Sequence, residues 1–232
     1  MSYSSLIKES IRKYPELKII DAKKIYKEKF NHMPELAFYK TVSRMAESDE
    51  IKRITKGIYC IPKTSRFGIV LSADNDILSH YIGEKKNKGV VVGYQLFKKY
   101  RLTTQVPKRI EIYSNVIMQE KRNVGNVYIR KAGIRFDPST IKMIEMLEIL
   151  QAYSSIEELN KVNLIKFLET AVNQYNEKIV GKILINIKYK KSTLASLKNV
   201  LDYYDIDNNL EKYLNGTSRY NSIEMETLND FT

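Results

Sequence analysis

Apolar positions fall into three regimes along the chain. Up to residue 47 they recur at helical spacing. Between 51 and 136 short alternating runs mix with brief helical ones, and from Thr140 helical spacing returns and persists. Leu6, Ile7, Ile11 and Tyr14 predict a first helix over 3–14, capped by Ser4 or Ser5 and followed by Pro15. Asp21 is the expected N-cap of a second helix, in which Ala22, Ile25, Tyr26 and Phe30 share a face. The chain breaks at Asn31–His32–Met33 and restarts with Pro34, a residue preorganised for the first position of a helix. There Phe38, Val42, Met45 and Ala46 form a buried stripe, with Glu35, Tyr39, Lys40, Ser43, Arg44 and Glu47 on the opposite side. Ile51, Ile54, Ile58, Tyr59 and Ile61 then predict two short strands around the turn Thr55–Lys56–Gly57.

Helix, turn, helix and a basic hairpin make the outline of a winged helix-turn-helix, a DNA-binding module. A B-form major groove admits a helix. On that reading Arg44 and Lys40 meet guanine edges or phosphates, and Ser43 and Tyr39 meet base edges or backbone. Lys52, Arg53, Thr55 and Lys56 lie on or beside the wing. The plainer alternative is a solvated helix face with no partner.

The connector 62–68 (PKTSRFG) is polar and ends in glycine, which sets a domain boundary at 66/67. Beyond it, a helix capped by Asp74 or Asn75 carries Ile77, Leu78, Tyr81 and Ile82. A strand at 90–92, a short helix at 94–102 and strands at 109–113, 127–130 and 134–136 follow. From 139 to 215 the pattern is a helical tail. Its first stripe is Ile141, Ile144, Leu147 and Leu150, Ser155 is expected to cap a short helix, and Leu164, Phe167, Leu168 and Ala171 mark the next. The expected fold class is α+β: an N-terminal winged helix-turn-helix over 1–66, then an α/β domain over 67–232 with a helical C-terminal part.

Charge sharpens this. The net charge is +12, and its distribution is uneven: residues 1–66 carry 15 Lys/Arg against 8 Asp/Glu, 67–138 carry 13 against 6, and 139–232 carry 11 against 13. A positive excess confined to the first 138 residues favours a nucleic acid over a membrane. The second positive stretch offers a candidate basic face of Lys98, Lys99, Arg101, Lys108, Arg109, Arg130, Lys131 and Arg135, against a plainer reading as lysine-rich surface. A single cysteine, Cys60, excludes an intramolecular disulfide and fits the cytoplasm, and no apolar run approaches membrane-spanning length. Two histidines, His32 and His80, with no cysteine near either give no zinc ligand set. Asp74 and Asp76 could hold magnesium, but a helix cap explains them more simply. No phosphate-binding glycine loop or nucleophile elbow is present. The expectation is a protein that is not an enzyme and carries no metal or cofactor.

Two motifs remain. Arg53, Lys56, Gly57, Ile58, Tyr59, Pro62, Ser65 and Gly68 form the first; Leu102, Thr104, Gln105, Val106 and Pro107 form the second. Together they resemble the AbiEi-like antitoxins of type IV toxin–antitoxin systems, over about residues 1–150. Small residues usual before the second motif are replaced here by Lys99-Tyr100-Arg101. The resemblance implies a phage-defence regulator whose winged helix binds operator repeats in duplex DNA and represses its own promoter. It also implies a second domain that counteracts a nucleotidyltransferase-like toxin without a stable toxin complex. The basic face would then meet DNA beside the operator or an RNA, and whether copies pair before or on the DNA stays open. The alternatives are an RNA- or protein-binding module without operator recognition, and an enzyme acting on nucleic acid.

Overall fold

The computed structural model describes residues 2–65, 68–70, 74–216 and 219–226. The fold is α+β, and the chain divides into two compact units, one formed by 1–84 with 122–128 and the other by 85–121 with 129–232. The first unit therefore runs past the connector at 62–68. Within that connector, β4 (Lys63–Ser65) and β5 (Gly68–Val70) pair antiparallel. Arg66 and Phe67, and the Ser72-Ala73 lead into the next helix, lie outside the described residues.

In the first unit α1 (Tyr3–Arg12) buries Ile7 and Ile11. Its N-cap is Ser2 and not Ser4 or Ser5: Ser2 is extended, and its hydroxyl accepts from the Ser5 amide. β1 (Ile20–Asp21) leads into α2 (Ala22–Ile25), capped by Asp21 as expected. The helix then widens into a π-helical turn over Tyr26–Phe30. Bonding five residues apart brings Ile25 and Phe30 to one side, and both are buried. α3 (Glu35–Glu47) turns Phe38, Val42 and Met45 into the core. Thr41 is also buried, because its hydroxyl donates to the Ala37 carbonyl at 3.0 Å and needs no outside partner. β2 (Lys52–Thr55) and β3 (Ile58–Cys60) form an antiparallel hairpin, with β1 on the far side of β3. Gly57 turns the hairpin at φ +76°, a conformation that costs glycine little. α4 (Asp74–Ile82) buries Ile77 and Tyr81.

Two ion-pair groups tie this unit together. Asp21 accepts from the Lys24 amide through one carboxylate oxygen and pairs through the other with Arg122 at 3.1 Å. The second guanidinium nitrogen of Arg122 donates to the Lys56 carbonyl at 2.9 Å, and the Ala22 amide donates to the Gly57 carbonyl. Arg122 and Asp21 are only 15% and 16% exposed. Separately, Glu50 accepts from Lys8 at 3.0 Å and from Arg12, joining α1 to the turn after α3.

The second unit opens with β6 (Gly89–Val92) and α5 (Tyr94–Lys99), where Arg101 at φ +54° stops the helix short of 102. β7 (Ile110–Ser114) pairs antiparallel with β6; β8 (Lys121–Val124) and β9 (Val127–Lys131) complete a sheet in the order β6-β7-β9-β8, residues 122–128 of these two strands and their turn being counted in the first unit. The strand expected at 134–136 is absent. Ile134 and Phe136 are buried and Arg135 exposed, so the alternation is real, but the backbone joins no sheet. Four helices follow: α6 (Pro138–Ala152), α7 (Lys161–Val172), α8 (Glu177–Asn186) and α9 (Lys191–Tyr203). Ser155 caps no helix; it closes a 3-10 turn by donating to the Ala152 carbonyl, and α7 is capped by Asn160 instead.

Asp21→Ala removes the cap and the partner of Arg122 together, and should destabilise the first unit by about 2–4 kcal/mol. Asp21→Asn keeps a capping oxygen and should cost less; urea unfolding of the two variants gives the order. The hydrogen bonds from Lys8 and then Arg12 hold the Glu50 carboxyl below its ordinary value near 4.5. The stabilisation from Glu50 is therefore present above that value and lost as the pH falls through the depressed folded value. Glu50→Gln should flatten the acid limb of the stability curve of this unit.

Candidate nucleic-acid interface

The rotation of α3 is fixed by what it buries. Phe38 is fully buried, with its ring centroid 5.4 Å from Tyr26 and 5.5 Å from Phe30. Residues on the opposite side must then face solvent. Lys40, Ser43 and Arg44 do, and Ser43 donates to Glu47 at 3.0 Å. Tyr39 is half-buried, its ring 6.1 Å from Tyr26 and 5.3 Å from Phe38, and burial pushes its phenol above the ordinary value. Leu36, in the first turn, is 82% exposed. Amphipathic counting passed over it, although its angle on the helix already placed it outward.

On the hairpin, Arg53 and Lys56 are exposed, Thr55 is half-buried, and Lys52 is held by Asp49. The Lys56 carbonyl is fixed by Arg122 while its side chain points to solvent. The outward side of α3 and the turn of the hairpin thus present Lys40, Arg44, Arg53 and Lys56 from a frame held by buried groups. Such cations can neutralise phosphates, and Ser43 can accept or donate at a base edge.

Half of the candidate basic face of the second unit is engaged within the unit. Lys99 donates to Glu145 at 2.5 Å, Arg109 pairs with Glu111 at 3.2 Å, and Lys131 donates to the Met118 carbonyl. Lys98, Arg101, Lys108 and Arg135 are exposed. Arg130 stacks on the Tyr113 ring at 4.3 Å and lies 3.6 Å from Glu111 and 3.5 Å from Glu148. Glu148 sits in α6 among buried apolar residues and also accepts from the Tyr113 hydroxyl at 3.1 Å. Burial raises its carboxyl above the ordinary range, against the pull of Arg130. Nothing in the hydrophobic pattern marked this cluster, because a carboxylate inside an apolar stripe reads as an interruption.

The second motif divides in two. Leu102 is fully buried, Thr103 donates to the Glu157 carbonyl, and Thr104 donates to the Glu158 carboxylate, both at 2.7 Å. Gln105, Val106 and Pro107 instead line a cleft of about 470 Å³, with Tyr94, Lys108, Arg109 and Glu111. The first half anchors the segment; the second half is presented. In the first motif, Gly57 supplies the positive φ and Ile58 is fully buried.

With this geometry in place, comparison with known proteins assigns residues 7–191 to a family model described as a family of unknown function, DUF6088. The chain belongs to the DUF6088 family. No curated protein matches it. Among solved structures, the RV2827C protein from Mycobacterium tuberculosis aligns over 86% of this chain and 75% of its own length, at 10% identity and a TM-score of 0.39. Among the described residues no group of three or more His, Cys, Asp or Glu side chains could hold a metal ion, and no helix is long and apolar enough to cross a membrane. His32 lies in an exposed turn, and His80 is half-buried on α4 with its ring against Tyr81.

Glu148→Ala would leave the Tyr113 hydroxyl without its acceptor and Arg130 with Glu111 as its carboxylate partner, and should cost about 2–4 kcal/mol. Glu148→Gln keeps an acceptor and should cost clearly less, as measured by thermal unfolding of each variant.

Proposed function

We propose that this DUF6088 protein is a DNA-binding transcriptional autorepressor built on an N-terminal winged helix-turn-helix, and an antitoxin of the AbiEi-like kind. In this reading α2 and α3 are the helix-turn-helix, α1 covers them, and the hairpin β2–β3 is the wing. One observation carries it: the solvent side of α3 and the turn of an anchored hairpin expose Lys40, Arg44, Arg53 and Lys56 together with Ser43. α3 enters the major groove, and Lys56 and Arg53 hold flanking phosphates. Repression is steric, by occupation of the protein's own promoter. The antitoxin half of the proposal rests on the two motifs; it has the second unit counteract a nucleotidyltransferase-like toxin encoded beside it, without a stable complex.

Binding of the DNA upstream of the protein's own reading frame tests the first half. Arg44→Ala should cost about 1–3 kcal/mol on the operator and relax specificity, if Arg44 is bidentate to a guanine. Lys56→Ala should weaken operator and random duplex alike, and should reduce the slope of log affinity against log salt by about one. Equal losses on both duplexes for Arg44→Ala would remove its base-reading role. Tighter binding to structured RNA than to any duplex would favour the alternative module.

A further inference from the structure

We propose that Leu36 reads a base: on operator DNA its isobutyl group packs against the 5-methyl group of a thymine in the major groove. The inference rests on the DNA-binding reading above and deepens it by naming the group recognised. Successive residues of an α-helix are about 100° apart. Leu36 stands two positions before the fully buried Phe38, so it points away from the core, and it is 82% exposed. Lys40 and Ser43 follow on the same side at i+4 and i+7, and Arg44 at i+8. Among the described residues of the first unit the other exposed large apolar side chains are Tyr3 and Leu6, both on α1.

A single exposed leucine is ordinary on a protein surface. Its position distinguishes this one. Leu36 lies in the first turn of α3, and it is the N-terminal residues of a groove-bound helix that reach base edges. The cations Lys40 and Arg44, suited to phosphates or guanine edges, stand one and two turns further along the same helix. Leucine has no donor or acceptor, so hydrogen bonds to bases are closed to it. The thymine methyl is the apolar group that the major groove displays. The surface therefore divides its work: Lys40 supplies charge, Arg44 reads a guanine as proposed above, and Leu36 adds discrimination of thymine at one position.

The test uses the full-length protein and a duplex of its upstream DNA, made once with thymine and once with uracil at every thymine position. Covering one methyl group is worth about fourfold in affinity. The wild-type protein should bind the uracil duplex more weakly, and Leu36→Ala should show a thymine-to-uracil penalty smaller by about fourfold. Leu36→Met keeps an apolar end and should retain most of the penalty. Circular dichroism of the variants checks that an exposed substitution leaves the fold intact. Equal penalties in wild type and Leu36→Ala would overturn the role of Leu36 while leaving DNA binding standing. Failure of the wild-type protein to prefer its upstream duplex over random sequence would instead remove the parent reading, and this inference with it.

Discussion

The first unit depends on one carboxylate. Asp21 ends β1, caps α2 and pairs with Arg122, and Arg122 in turn fixes the carbonyl of Lys56. The first amides of a helix have no partners within it, so a helix start is a natural place for an acidic side chain. Here the acid is also largely buried, and an unpaired buried charge is costly. The result is a narrow geometry in which the start of α2 and the hairpin turn are positioned by the same three groups. The aromatic packing of Phe38 with Tyr26 and Phe30 adds the second constraint, since it leaves α3 a single rotation. Together they decide which side chains of a 13-residue helix and a short hairpin can meet a partner.

How much of this was legible follows from the range of each interaction. The stripe Phe38, Val42 and Met45 and the cap at Asp21 depend on neighbours within a few residues, and local pattern is enough to find them. Arg122 lies 101 residues from Asp21 and carries no local sign that it belongs to the first unit. The π-helical turn was hidden for a related reason: Ile25 and Phe30 fit a helical stripe loosely, and only the tertiary core selects five-residue bonding. Leu36 escaped because it fits neither the buried stripe nor a list of polar residues on the opposite side. Ile134 and Phe136 misled in the opposite direction, since alternation reports burial on one side and not a hydrogen-bonded ladder.

In the second unit, a count of cations differs from a count of available ones. Lys99 and Arg130 answer carboxylates on α6, a helix with Glu145 and Glu148 buried among apolar residues. Those carboxylates need partners more than any external anion does, because the alternative is an uncompensated charge in the core. The positive balance of this stretch is thus partly a consequence of how the core is built. What remains for a partner is narrower: exposed Lys98, Arg101, Lys108 and Arg135, and the cleft lined by Gln105, Val106 and Pro107.

The two motifs bear on the proposal unequally. Gly57 is required by a positive φ, and Ile58 and Leu102 by complete burial. These residues would be demanded by the frame whatever the protein contacts. None of the motif positions falls on the outward side of α3. Proteins that share the motifs can therefore share the hairpin, its tether and the anchored segment, and still present different side chains where Leu36, Lys40, Ser43 and Arg44 stand. If operator recognition is the function, its sequence preference lies in those four positions, which the motifs leave free to vary.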